Sequence, residues 1–519
     1  MTKYDFLFIN SPSNCNNPHI PYSLLYLISH LEKKGYKAGI IDERGDDAPN
    51  SMKKHLLNIK QQLLNKPARF IGIPTFHSDF SMVKKLGKLV KECQPNTILV
   101  VGNAHASINP EDFIYKESPF DIAILGEGEK VCSNLIEALN DYQSIQEYEL
   151  QTINGIAYWD YYENKFVKTN PETVIDMKTI DMPAYHHINL DLYLQPQKLI
   201  LRRLYTKLMP IFFSRSCPWN CTFCACNVIW KRTKGKRYRT RTIDSVIKEI
   251  EYLNSKGMDQ FYIFDDAFAV NKKLTQEWFK KKKELDNKLG YQIPYGCQTR
   301  VDLVDEKLVC DLKKSGCIQI DLGIETGSQK LLDLVKKQIT KDQVRKAFAL
   351  CRKHKVRSFA TMLLNLPTET EEDLDETYKF LKEVRPTAGL IFGVTTPYPG
   401  SEIYKHCKPP LKKEEYGLLI NNRLNPIERF RMSEHNLDLE KIWDKWNRDF
   451  KATPMFERFW CMNPFQPLYW KSIWRSKHKT QYIKAWSKDL IKTFILYWSH
   501  KLKFYRLLKK IQYKGACKY

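Results

Sequence analysis

Two stretches of this 519-residue chain alternate short apolar runs with helix-length amphipathic segments, and that alternation restricts the fold more than any other feature. In the first, between Tyr4 and about Asp141, Phe6–Ile9, Ala38–Ile41, Phe70–Ile73, Ile98–Val101 and Ile122–Leu125 have the length of strands. Tyr22–Lys34, Met52–Asn65, Phe80–Cys93 and Lys130–Leu139 between them have the length of helices. Strands separated by helices pair in parallel, with the helices packed on both faces of a doubly wound sheet. Such sheets bind ligands beyond the carboxyl ends of their strands. Two segments there read as loops, Gly102-Asn-Ala-His-Ala-Ser107 and Gly126-Glu-Gly-Glu129.

The pattern loosens between Tyr142 and Met209, where Asn154–Trp159 and Lys165–Val167 read as a small hairpin in a linker. A second alternating series then supplies candidate strands at Ile211–Ser214, Phe261–Phe264, Ile293–Gln298, Ile318–Gly323, Ser358–Leu363 and Leu390–Val394. Helical segments such as Ile243–Ser255, Lys307–Lys314 and Lys341–His354 separate them. Six such units in about 200 residues fit a full or partial (β/α)6 barrel, whose chemistry lies on the loops after the strands. The expected domains are a Rossmann-like unit over 1–145, a linker over 146–205, a barrel over 206–410 and a mainly α region over 411–519.

Composition narrows the class. With 43% hydrophobic and 27% charged residues the chain is neither disordered nor collagen-like. Its longest near-candidate for a membrane span, Ile491–Trp498, is short and interrupted by Lys492, and the N-terminus lacks the pattern of a secretory signal. A cytoplasmic protein is expected. Fourteen cysteines spread unevenly favour reduced thiols, a few of them recruited for metal work, over a disulfide framework. The net charge of +24 implies an anionic partner. Much of it sits between Trp470 and Tyr519, where 14 Lys or Arg face the single acid Asp489 and interleave with Trp470, Trp474, Trp486 and Trp498. Three readings of this stretch stay open: a solvated helical face over the barrel, a surface docking peripherally on anionic lipid, or a nucleic-acid contact. The last lacks any recognised RNA-binding module.

The strongest local signal is Cys217-Pro-Trp-Asn-Cys221-Thr-Phe-Cys224, directly after the first candidate barrel strand. Three thiolates on a tight loop can hold three irons of a [4Fe-4S] cluster and leave the fourth open to a ligand. A zinc knuckle completed by Cys226 is the alternative. An iron–sulfur electron carrier or nucleic-acid-binding protein is a reading from another class, against which the three-cysteine set counts, because carriers usually use four.

The Cys-x3-Cys-x-Phe-Cys loop resembles that of the radical S-adenosylmethionine (SAM) enzymes. Phe264-Asp-Asp266 with Asn271, Arg300-Val-Asp302, Gly323-Ile-Glu-Thr-Gly-Ser-Gln329 and Pro397-Tyr-Pro-Gly-Ser401 resemble the family's successive strand-end motifs. The resemblance implies that Cys217, Cys221 and Cys224 ligate the cluster and that Phe223, Asp265, Asp266, Arg300 and Glu325 contact SAM. The segments Gly102–Ser107 and Asp121–Glu129 resemble the cobalamin-binding domain that precedes the barrel in a large subclass, which implies corrin contacts from Gly102, Asn103, His105, Ser107, Gly126, Glu127 and Gly128. Three departures stand out. The Asp-x-His-x-x-Gly motif of the cobalamin mutases is absent, Asn103 replaces a common glycine, and Asn365-Leu-Pro-Thr-Glu-Thr370 replaces Gly-x-Pro-Gly-Glu-Thr. The resemblance implies a 5′-deoxyadenosyl radical, an organic substrate, an external donor such as flavodoxin or ferredoxin, and methyl transfer to an unactivated carbon or phosphorus centre. Cyclisation or another rearrangement is the second reaction, and a vestigial corrin domain the remaining variant.

Overall fold

A computed structural model describes residues 3–12, 20–43, 52–139, 147–195, 207–230, 232–419, 427–435, 437–451 and a few positions between 479 and 491. In the first unit, β1 (Tyr4–Asn10), β2 (Ala38–Asp42), β3 (Ala68–Pro74), β4 (Ile98–Gly102) and β5 (Ile122–Ile124) are all parallel. They alternate with α1 (Tyr22–Lys33), α2 (Met52–Asn65), α3 (Phe80–Cys93), α4 (Asn103–Ile108) and α5 (Glu129–Ala138). The two faces of β1 bury different sets. Phe6 and Phe8 join Phe70, Val100 and Ile122 in a core with residues of α1 and α5, while Leu7 and Ile9 join Ile71, Leu99 and Val101 in a core with residues of α2 and α3. Burial on both faces is why these strands read as continuous apolar runs. The strand order β2-β1-β3-β4-β5 reverses at β1, which opens a crevice at the strand ends.

Two details differ from expectation. The hairpin expected in the linker, β6 (Ile156–Asp160) and β7 (Lys165–Lys168), pairs antiparallel onto β5, with Ile122 opposite Tyr158. It extends the first sheet to seven strands and covers the edge that the three-residue β5 would leave open. Gly102–Ser107, expected as a loop, is mostly the short helix α4. Asn103 opens that helix at φ 75°, with its side-chain oxygen accepting from the amide of Ala104.

The second unit begins with β8 (Leu208–Ile211) and a two-residue ribbon of β9 (Ser214–Arg215) against β10 (Arg239–Thr240). It continues through β11 (Gln260–Ile263), β12 (Tyr295–Thr299), β13 (Cys317–Glu325), β14 (Arg357–Leu364) and β15 (Gly389–Val394). The order β15-β14-β13-β12-β11-β8 is all parallel, and β8 and β15 are its two ends, so this is the partial barrel. Its first strand lies three residues earlier than the expected Ile211–Ser214, because the amides of Phe213 and Ser214 bond to the Asp265 carboxylate, at 2.7 and 3.1 Å.

The linker is pinned between the units. Tyr185 donates to Glu249 on the barrel helix Ile243–Ser255, and His187 Nε2 lies 2.7 Å from Glu32 on α1. Glu249 also pairs with Arg241, both fully buried. Beyond the barrel, Cys407, Leu411, Tyr416, Leu419 and Phe430 pack into the core beneath α2 and α3, so the chain crosses back to the first unit. The described part of the expected α region adds one regular helix, Leu439–Lys451, whose Trp446 lies 5.0 Å from Phe392 of β15. The basic stretch from Trp470 onward lies almost wholly outside the described residues.

Candidate active site between the two sheets

The cysteine loop starts with a sharp bend at Ser216, φ 71°. Its middle is fixed by the amide of Thr222 donating to Val335 O and by the amide of Ile403 donating to Thr222 O. Arg300, 5% exposed, lies with its guanidinium 4.2 Å from the ring centre of Trp219 and its Nη1 4.0 Å from Cys221 Sγ. Its Nη2 donates to Lys337 O at 2.6 Å. Cys217, Cys221 and Cys224 form no disulfide and are half-buried. Burial pushes the Cys217 thiol up to about 11 and raises that of Cys221 against the pull of Lys337 and Arg300. A hydrogen bond with Cys226 lowers Cys224 to about 7. No three sulfurs of Cys217, Cys221, Cys224 and Cys226 lie within 4.8 Å of one another, whereas zinc–sulfur bonds of about 2.3 Å would draw four of them to roughly 3.8 Å. The donor set fits a cluster held by three thiolates better than a zinc knuckle, and Cys226 Sγ instead approaches Asp266 Oδ1 at 3.5 Å.

The expected SAM residues divide by role. Asp265 is buried, accepts from Phe213, Ser214 N and Ser214 Oγ, and anchors the strand that leads into the cysteine loop. Burial lifts its carboxyl to about 7. Asp266 and Phe264 stay exposed at the barrel mouth. Glu325, at φ 68°, ends β13 with its carboxylate 2.5 Å from Lys337 Nζ, and both side chains are about nine-tenths buried. Gly323 makes room for this pair, since a Cβ there would fall 2.5 Å from Glu325 Oε1 and 2.8 Å from Lys337 Nζ. Phe223 packs on Leu331, Val335 and Leu366, with Lys337 Nζ 5.9 Å from its ring centre. Sequence reasoning missed Lys337, because Lys336-Lys337 looks like a solvated pair and only the fold brings it to Glu325.

A cavity of about 350 Å³ lies between the strand ends of the first sheet and the start of the barrel. Gly72, Gly102, Asn103, Gly126, Glu127 and Gly128 line its first-sheet side, and Phe212, Arg215, Ile229 and Trp230 its barrel side. The walls are largely apolar, with glycine backbone at Gly72, Gly102, Gly126 and Gly128, which fits a broad, flat, ring-bearing ligand such as a corrin. Five of the seven residues expected at cobalamin therefore meet there.

His105 and Ser107 do not line the cavity. His105 is fully buried, stacked 3.9 Å from His77 and 2.9 Å from Asp112, among Phe80, Phe113 and Tyr416. Ser107 Oγ donates to Asn103 O and accepts from Gly126 N, tying the two expected motifs together. The Glu127 carboxylate lines the rim already engaged, bonded to Arg215, Arg239 and the amide of Ile175. Gly126, at φ 90°, leaves space for the barrel side as well, since a Cβ would strike Thr233 Cγ2 at 2.4 Å.

Residues 211–381 match the radical SAM superfamily and residues 13–136 the B12 binding domain. The chain is a radical SAM enzyme with a B12-binding domain. An uncharacterized methyltransferase, PH0819, of Pyrococcus horikoshii is 27% identical over 75% of this chain and 78% of its own length. The anaerobic magnesium-protoporphyrin IX monomethyl ester cyclase of Rubrivivax gelatinosus is 26% identical over 83% of this chain and 73% of its own. The radical SAM methyltransferase TsrM of Kitasatospora setae, solved with cobalamin and a [4Fe-4S] cluster, shares the fold at TM-score 0.61 and 18% identity, over 78% of both chains. The radical SAM enzyme's cofactors are thus a [4Fe-4S] cluster, SAM and cobalamin. Among the described residues no helix is long and apolar enough to cross a membrane.

Proposed function

We propose that the chain is a cobalamin-dependent methyltransferase acting on an unactivated carbon or phosphorus centre of an organic substrate. The observation that carries this reading is a shared wall. Arg215, two residues before Cys217, and Ile229 and Trp230, on the helix that follows Cys224, line the same cavity as Gly102 and Gly126. When bound, the cluster supplies the electron that splits a carbon–sulfur bond of SAM, and the corrin supplies a carrier for a methyl group.

The chain's own residues have four tasks in this reading. Cys217, Cys221 and Cys224 ligate the cluster. Phe223, Arg300 and the Glu325–Lys337 pair bind and orient SAM, with Lys337 holding the Glu325 carboxylate as a fixed acceptor in a site from which most water is excluded. Asp265 keeps the cluster strand in register by taking two of its amides and one hydroxyl. Gly102, Gly126 and Gly128 present bare backbone to the corrin, with Asn103 beside them. An external flavodoxin or ferredoxin supplies electrons. The basic C-terminal stretch docks the enzyme, itself cytoplasmic, on an anionic membrane surface. Ring closure is the second reading, favoured by the likeness to the Rubrivivax cyclase.

The test is anaerobic purification with iron, sulfide and corrin counted, then reduction and assay of 5′-deoxyadenosine and S-adenosylhomocysteine, beside Cys221→Ala. Cluster, corrin and both products, with all but the corrin lost in the variant, are expected. Deoxyadenosine without corrin or homocysteine product would leave a radical enzyme that does not methylate, and zinc in place of iron would end the radical reading.

A further inference from the structure

We propose that Glu127 is a positioning residue that sets the spacing between the corrin cavity and the cluster loop through a buried clasp of four charges. The inference rests on the functional reading above. It starts from a carboxylate whose bonding capacity is filled. Oε1 accepts from Arg215 Nη1 at 3.1 Å and Arg239 Nη2 at 2.6 Å, and Oε2 accepts from Arg239 Nη1 at 2.9 Å and Ile175 N at 3.1 Å. Glu129, two residues on, accepts from Arg215 Nη2 at 2.6 Å. Side-chain exposure is 9% for Glu127, 5% for Glu129, 17% for Arg215 and 9% for Arg239. Two carboxylates and two guanidiniums leave no net charge in this low-dielectric seam, so the group escapes the large cost of an unpaired buried ion.

The four residues come from the places whose separation matters. Glu127, in the turn between β5 and α5, and Glu129, the first residue of α5, flank Gly128 in the lining of the cavity. Arg215 is in β9 and Arg239 faces it across the ribbon in β10. Arg215 leads through Ser216 into Cys217. Arg239 lies over the ring of Trp230, 5.4 Å from its centre, and Trp230 forms part of the cavity wall. One carboxylate thus fixes the root of the cysteine loop and, through Arg239, the aromatic wall facing the corrin space. The forked Arg239–Glu127 contact fixes orientation as well as distance, which a single-point ammonium contact or apolar packing does not. The joint between the units is already held at other points, by Arg241 Nη1 donating to the Tyr26 hydroxyl of α1 and by Tyr22 donating to Pro210 O. The clasp is therefore dispensable for joining them and is suited to aligning them. Chemistry divided between two bound groups is steeply sensitive to such alignment, a misplacement of about 1 Å costing roughly 100-fold.

The test uses the full-length holoenzyme and Glu127→Gln, with Glu127→Asp and Arg239→Lys as companions. Iron, corrin and thermal midpoint report folding and loading. The readout besides turnover is pulsed EPR of the magnetic interaction between the reduced cluster and cob(II)alamin. Glu127→Gln is expected to keep its iron and corrin while that interaction changes and the deoxyadenosine formed per methylated product rises about tenfold. Glu127→Asp, which keeps the charge and loses the reach, is expected to resemble it. If Glu127→Gln loses its cofactors, Arg239→Lys, which keeps the charge and removes the fork, is read in the same way. An unchanged interaction and product ratio in the variants, with a wild type that holds both groups, overturns the clasp alone. A wild type that takes up no corrin overturns the functional reading and the clasp with it.

Discussion

Asn365 stands where the resembled motif has glycine, and its backbone is left-handed, φ 68°. Asparagine tolerates it because its side chain finds partners: Nδ2 donates to Phe430 O and Thr395 O, and Oδ1 accepts from Met432 N. Asn365→Gly is therefore expected to cost about 1–3 kcal/mol in chemical denaturation, despite restoring the motif. Four residues on, burial raises the Glu369 carboxyl from 4.5 to about 8. The folded chain then keeps a proton that the unfolded chain releases, so this group's contribution to stability is greatest below about pH 4.5 and falls as pH rises toward 8, by about 1.4 kcal/mol for each pH unit crossed. Glu369→Gln is expected to flatten denaturation free energies across that window; an unaltered slope counts against the assignment. The Glu325–Lys337 pair makes a third case. Lys337→Met strands a buried carboxylate, an expected loss of about 3–5 kcal/mol, and the double variant with Glu325→Gln should recover the stability without recovering SAM affinity. The cysteines and Glu325 could be picked out as candidates from the sequence, because their motifs are written in local spacing. Lys337 and Glu127's arginines were hidden because their partners lie 12, 88 and 112 residues away.

Among elements, the strands were legible because burial on both faces makes them apolar throughout, as in Phe6–Ile9. Errors fell where a side chain took over a backbone bond. Asp265 captures two amides and ends β8 early, and the Asn103 side chain, taking the Ala104 amide, helps turn an apparent loop into α4. The barrel helix Lys272–Leu289 escapes a reading of the sequence for a related reason. Its Lys280–Lys283 run looks solvated, yet Lys282 is fully buried against Asp286 and Trp278 is in the core. Close approach of elements gives a prediction. Gly126→Ala meets both a left-handed backbone and Thr233 Cγ2, and is expected to weaken corrin retention and lower the thermal midpoint. Adding Thr233→Ser, which removes that methyl, should recover part of the loss; no recovery would place the whole cost in the backbone.

At the scale of the whole molecule, the segment after the barrel was legible only as the end of an alternation. Its return to the first unit depends on contacts distant in sequence. Tyr416 lies against His77, His105 and Phe80, and Lys413 Nζ is 2.9 Å from Asp112. Tyr416→Ala is expected to cost about 3–5 kcal/mol and to split a single calorimetric transition into two, the first unit melting earlier. One transition shifted as a whole would show that this segment does not couple the units. The return of the chain also has a kinematic consequence. Two covalent crossings, the linker near Tyr185 and the segment from Cys407 to Tyr416, span the same gap. Bodies joined at two separated points lose twist and slide relative to each other and keep one easy rotation, about the line through those points. A rotation that widened the cavity for a corrin is therefore expected to run like a door on two hinges and to return the cysteine loop to the same place.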